Sequence, residues 1–109
     1  MIICNHVLEH IPNDLEAMKE LYRVLKVGGV AVLQVPISKN SFTTFEDPSV
    51  IDPNEREKTF GQSDHVRIYG QDYVDRLISC GFKATRINIS EEYSHWGVDI
   101  EEDIFIAEK

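Results

Sequence analysis

The chain opens on a short apolar run, MIICN, at residues 1–5. Its length and polar flank predict a buried strand. Pro12 then breaks the backbone, and Asn13 with Glu16 three residues later fits a capping box at a helix start. The helix expected from there covers 14–25. Leu15, Met18, Leu21, Tyr22 and Leu25 recur at helical spacing and make one apolar stripe. Glu16 and Glu20 come early, Arg23 and Lys26 late, as the helix dipole favours. Gly28-Gly29 is the expected stop. VAVLQVPI, residues 30–37, is apolar on both alternating faces apart from Gln34, the pattern of a strand in a parallel sheet. Strand, helix and strand make a βαβ unit with a right-handed crossover.

The pattern changes over residues 38–69, where polar and turn residues dominate and Pro48 and Pro53 interrupt. A loop this long is uncommon unless it is functional. Within it, PNEREKTF at 53–60 predicts a short helix, since proline suits the first helical turn. A second long helix is expected over 71–80, with Tyr73, Val74, Leu77 and Ile78 as its apolar stripe and Gly81 at its end. FKATRINIS follows as a strand over 82–90, with Thr85, Ile87 and Ile89 on one face. An acidic stretch from Glu91 to Asp103 carries Trp96, read as a core or lid anchor. A last strand is expected over 103–109. No internal repeat appears. The 109 residues suit one small domain.

Composition narrows the function classes. The chain is 42% hydrophobic and 28% charged, with a formal net charge of −8. An acidic chain without a basic patch is not expected to bind nucleic acid or an anionic membrane. No apolar run approaches the ~20 residues needed to span a bilayer, and no basic segment leads into an apolar one. A cytoplasmic protein is expected. Cys4 and Cys80 lie far apart and read as free buried thiols.

HVLEH, residues 6–10, raises a metal question. His6, Glu9 and His10 would share one face of a helix, and H-x-x-E-H is the signature of an inverted zinc protease. Pro12 limits any helix here to about a turn, so that reading is rejected. The bland reading of His10 is a hydrogen bond to backbone at a turn.

Three stretches together resemble the C-terminal half of a class I, S-adenosylmethionine-dependent methyltransferase of type 11: IICNHVLEHIPN, LYRVLKVGGVAVLQVP and FGQSDHVRIYGQDYVDRLISCGF. The resemblance spans nearly the whole chain. Val27 stands where the family usually has proline. The resemblance implies a partial Rossmann-like α/β fold. Its sheet would be mostly parallel with an antiparallel last strand, in the order 4-5-7-6 in family terms. The family's first three strands, with the Gly-rich turn and ribose-binding acid that hold most of the cofactor, have no counterpart here. The implied activity is methyl transfer from S-adenosylmethionine to a small-molecule substrate, as part of a longer enzyme. The alternative is a truncated, non-catalytic structural or partner-binding module.

Site residues follow from that resemblance. Cys4, Asn5 and His6 would line the cofactor's methionine end, with His6 as the candidate base. Pro36, Ile37 and Ser38 end the next strand and face the same crevice. His65, Arg67 and Tyr69 would bind substrate, Arg67 taking an anionic group. The bland reading pairs Arg67 with Asp64 to pin the long loop. Phe42, Phe45 and Phe60 would cover an apolar substrate or pack the loop down. Some ubiquinone-pathway relatives place acidic and histidine residues at positions matching His6, Glu9 and His10 and use a divalent metal there. No metal is assigned to this chain on sequence. Both long helices are expected on one face of the sheet. The other face and the first strand's free edge would then stay open, which favours a homodimer.

Overall fold

A computed structural model describes residues 1–99 and 102–109. Ile100 and Glu101, inside the expected acidic stretch, lie outside the described residues. Strand β1 (Ile2–Asn5) leads through a 3₁₀ turn (Leu8–His10) into helix α1 (Asp14–Val24) and strand β2 (Val30–Gln34). Two short strands, β3 (Phe45–Glu46) and β4 (Arg67–Ile68), flank helix α2 (Pro53–Phe60). Helix α3 (Tyr73–Ser79) and strands β5 (Lys83–Ile87) and β6 (Ile104–Glu108) complete the chain.

The main sheet has the order β1-β2-β6-β5. β1 and β2 run parallel. β6 is inserted between β2 and β5 and is antiparallel to both. The sheet and its helices make an α/β fold, as the hydrophobic pattern requires. β3 and β4 form a separate two-stranded ribbon, so the 38–69 segment is not a bare loop.

Register decides which side chains reach the core. Cys4 sits opposite Leu33, Ala31 opposite Ala107, and Ala107 opposite Ala84. With Phe105 they form one face, covered by Met18, Leu21 and Tyr22 of α1 and Tyr73 and Leu77 of α3. Both helices therefore lie on the same side, as expected. Across the other face the register aligns Ile3, Val32, Ile106 and Thr85 in one row, and Asn5, Gln34, Ile104 and Ile87 in the next. Ile3 is 65% exposed there, and the described residues leave the row open. The 38–69 segment packs elsewhere, beside the 3₁₀ turn and the two helices. The strand with Thr85 and Ile87 on one face is as expected, but that face is the open one.

Local signals account for most boundaries. Asn13 caps α1 by accepting from the Glu16 amide at 3.1 Å. Asp52 caps α2 from the Asn54 amide, with Pro53 in its first turn, and Gly61 closes it at φ +90°. α1 ends at Val24, before Gly28-Gly29. Those glycines form a separate turn, tied by backbone bonds to Lys109 beyond β6. Leu15 and Ile78, expected in the apolar stripes, face outward, and Asp14 is buried in Leu15's stead. Trp96, expected as an anchor, is 74% exposed. Among the described residues, no helix is long and apolar enough to cross a membrane.

Candidate functional site

The carboxyl ends of parallel strands present unpaired backbone and open toward ligand in sheets of this type. Here β1 ends at Asn5, and His6 follows with φ +53°. A left-handed conformation strains a residue with a Cβ. The strain is held by a backbone bond from the His6 amide to the Gln34 carbonyl at 2.8 Å. The imidazole, 54% exposed, faces a crevice of about 370 Å³. Gln34, Val35, Pro36 and Ile37 form its floor, Phe105 its apolar wall, and Lys39, Arg86 and acidic residues its rim.

The crevice is braced from below. The Gln34 amide donates to the Asp103 carbonyl at 2.5 Å, and its oxygen accepts from the Phe105 amide at 3.4 Å. The lone polar residue of β2 thus fastens β2 to the entry of β6. Arg86 holds Asp103 and Gln71. Burial would raise the Asp103 carboxyl, but hydrogen bonds from Arg86 and Asn88 and the Arg86 charge outweigh it and hold the pKa below its ordinary value. Asp103 therefore stays ionised and fixes Arg86 at the rim.

Of the three expected cofactor residues, only His6 lines this crevice. Asn5 lines a neighbouring hollow of about 270 Å³ with Val32, Gln34 and Ile104, on the open face. Cys4 points the other way, toward Leu8, Ile11 and Leu21 under α1. Burial, then the Glu9 charge, pushes its thiol pKa up. Alternation along β1 separates Cys4 from Asn5, since successive side chains leave opposite faces, and His6, past the strand end at φ +53°, departs from that alternation.

The residues expected at the substrate divide. His65 borders a hollow of about 220 Å³ with Phe60, Pro36 and Ser38, close to the crevice. Arg67 and Tyr69 are instead interior residues, 2% and 1% exposed. The Arg67 guanidinium donates to Glu46 Oε1 at 2.7 Å, to the Leu8 carbonyl, and to the Pro12 carbonyl at 2.8 Å. Its donors are engaged within the chain, so it offers little to an anionic ligand. It does pin the long segment, but through Glu46, Leu8 and Pro12 rather than Asp64. Tyr69 donates to Asp14 Oδ2 at 2.6 Å. Burial and then the Asp14 carboxylate push its phenol pKa far upward, so it remains neutral. Asp14 also receives Arg76 Nη2 at 2.6 Å. Phe60 is buried against Phe45, while Phe42 is almost fully exposed.

Sequence reasoning did not foresee the surroundings of Glu9. Its carboxylate is buried, with the residue 1% exposed, and neither oxygen has a hydrogen-bond partner. His6 Nδ1 stands 3.5 Å away and His10 Nε2 3.7 Å away. His65 packs edge-on against His10 with ring centres 4.7 Å apart. The Val66 amide donates to the Glu9 carbonyl at 2.9 Å, and that bond brings His65 alongside.

Comparison with known families meets this geometry at its first strand. Residues 1–33 match the family described as "Methyltransferase domain". Over that stretch, and not over half of the chain, the sequence is similar to that family. The matched residues run from β1 through α1 into β2, and so include the strained His6 at the crevice. No curated protein and no solved structure matches the chain.

The strain at His6 gives a direct prediction. Glycine adopts φ +53° without penalty, at the cost of a more flexible unfolded chain. His6→Gly is expected to stabilise the chain by about 0.5–1 kcal/mol. Urea denaturation checks this; a loss of stability would show that the imidazole contributes more than its backbone costs.

Proposed function

We propose that this domain contributes the methionine-side wall of an S-adenosylmethionine site in a small-molecule methyltransferase. The observation that supports this most is a coincidence of place. The stretch matching the methyltransferase family is the stretch that carries His6 into the crevice at the strand ends. Asp99 and Glu102 on the crevice rim, beside the Arg86–Asp103 pair, complement a ligand bearing ammonium and sulfonium charges.

In this reading the substrate's nucleophilic atom attacks the cofactor's methyl carbon. The cofactor, when bound, would supply the electrophilic methyl group, with a neutral thioether as its leaving group. The protein's main task is alignment of nucleophile, methyl and sulfur. His6 serves as the base that accepts the nucleophile's proton. His65 and Phe60 border the substrate side. Arg67 and Tyr69 act from behind, by holding the 38–69 segment against the 3₁₀ turn.

The crevice here meets only one end of such a cofactor, and affinity needs many convergent contacts. Calorimetric titration of the 109-residue chain with S-adenosylhomocysteine is therefore expected to give saturable binding, weaker than micromolar. Absence of any binding at millimolar ligand would count against the proposal.

A further inference from the structure

Glu9 is a buried carboxylate whose two oxygens have no hydrogen-bond partner, and burying such a group is costly unless a donor answers it. Its neighbour His6 carries a cost of its own, held at φ +53° where a side chain is strained. Local costs of this kind gather where a site uses them. Here both converge on one imidazole, because His6 Nδ1 stands 3.5 Å from Glu9 Oε1.

The donor that Glu9 lacks can be assigned from the hydrogen-bond pattern. His10 Nε2 lies 3.7 Å from the same oxygen. His10 Nδ1, however, lies 3.1 Å from the Asp64 carbonyl oxygen, which can only accept, so in the neutral ring Nδ1 carries the proton. Nε2 of His10 then turns a lone pair toward the carboxylate and cannot donate to it. His6 can. A closure of about 0.7 Å brings its Nδ1–H to the ~2.8 Å usual for a bond to a carboxylate. Hydrogen bonds of catalytic groups are often long without ligand and tighten with it. The half-exposed His6 ring is free to make that movement. Glu9 is the fixed member, 1% exposed and tied through its carbonyl to the Val66 amide.

We infer that Glu9 is the positioning residue for His6: its carboxylate accepts from Nδ1–H and selects the tautomer in which Nε2 keeps its lone pair for the crevice. The inference rests on the reading of His6 as the base. A base needs a lone pair at the nitrogen that meets substrate, and the bond made by one ring nitrogen decides the state of the other. In the opposite tautomer Nε2 already holds a proton and can take none. When Nε2 accepts the nucleophile's proton, the imidazolium that forms lies against a buried carboxylate, which stabilises it without taking the proton.

Nitrogen-15 NMR of the histidine rings of the 109-residue chain, in mildly alkaline buffer where imidazole is neutral, tests the assignment. In the native chain His6 Nδ1 is expected to give the resonance of a proton-bearing nitrogen and Nε2 that of a lone-pair nitrogen. Glu9→Leu removes the acceptor, and Glu9→Met does so at closer length. In each the preference is expected to be lost, with both His6 nitrogens at averaged shifts and the His10 tautomer retained. Circular dichroism confirms that the variants fold, and the native spectrum decides the matter even if neither does. Titration of the native chain with S-adenosylhomocysteine separates this inference from the one it rests on. Absence of binding strikes the methyl-transfer reading, whereas the His6 tautomer reports on Glu9 alone. A native His6 with its proton on Nε2, or an unchanged His6 tautomer in a folded Glu9→Leu or Glu9→Met, would overturn the inference.

Discussion

Replacing Asp14 by alanine is expected to destabilise the chain by about 3–5 kcal/mol. Asp14 is buried at the first turn of α1, and three groups converge on it. Arg76 donates to both its oxygens, Tyr69 donates at 2.6 Å, and Arg67 Nε lies 3.8 Å away. Removing the carboxylate leaves the buried Arg67 guanidinium with less negative charge beside it and strands the Tyr69 hydroxyl. Breaking one side of a buried charge network costs more than the network itself contributes. Domains of this size have only about 5–15 kcal/mol in total, so the effect is a large share. The same carboxyl sets an acid limit. Burial would raise its pKa, but hydrogen bonds from Arg76 and Tyr69 and the charge of Arg67 hold it below its ordinary value. Its stabilisation is therefore full above about pH 4, the unfolded carboxyl value, and is lost as pH falls through the lower folded value. Urea titrations at neutral pH and in acid check both points. In Asp14→Ala, the loss of stability on acidification is expected to be smaller than in the native chain. The exposed Glu20–Arg23 pair is the control, and Glu20→Ala is expected to leave the midpoint unchanged.

The second large effect is expected at Gly70. A Cβ there would stand 2.6 Å from the carbonyl carbon and oxygen of Thr43 and 2.8 Å from the carbonyl oxygen of Ser41. These are backbone atoms and do not rotate aside. They are also committed, since the Gln71 amide donates to Ser41 O at 2.8 Å and Thr44 Oγ1 donates to Asp72 at 2.7 Å. Gly70→Ala must therefore push residues 41–44 off the start of α3. Overpacking of this kind costs about 1–3 kcal/mol. The melting temperature should fall, and limited proteolysis should cut faster within 38–69. Gly61 offers the contrast. A Cβ there meets open space, and φ +90° is its only constraint, so Gly61→Asn is expected to leave the 41–44 contacts and the cutting rate as they are. Native-like cutting in Gly70→Ala would show that the 41–44 contacts do not hold the segment.

The fold was legible in the sequence wherever a local period carried it. The run of β1, the Asn13 cap, the apolar β2 and the proline start of α2 are all decided by neighbours in the chain. What escaped was decided by partners far away. Leu15 belongs to the apolar stripe of α1 by spacing, yet Asp14 is buried instead, because Arg67 and Arg76 arrive more than fifty residues later. Arg67 reads as a surface cation on a polar loop until Glu46 and two backbone carbonyls claim it. The crevice was half visible. His6 and the Pro36-Ile37 strand end were expected there. Gln34 stood out as the one polar residue of an apolar strand, and that was the available signal for its bracing role. No sequence signal joined Glu9 to His65, since their meeting depends on the Val66–Glu9 backbone bond.

The central claim is that ligand meets this chain at the carboxyl ends of β1 and β2. Amide NMR of the 109-residue chain, titrated with S-adenosylhomocysteine, tests it most directly. The expected result is a set of saturating shifts centred on His6, Gln34, Val35 and Ile37, with Lys83 and Ala84 at the far end of β5 and the exposed faces of α1 and α2 undisturbed. Shifts centred instead on the open sheet face at Ile3 and Val32, or no shifts at millimolar ligand, would contradict it.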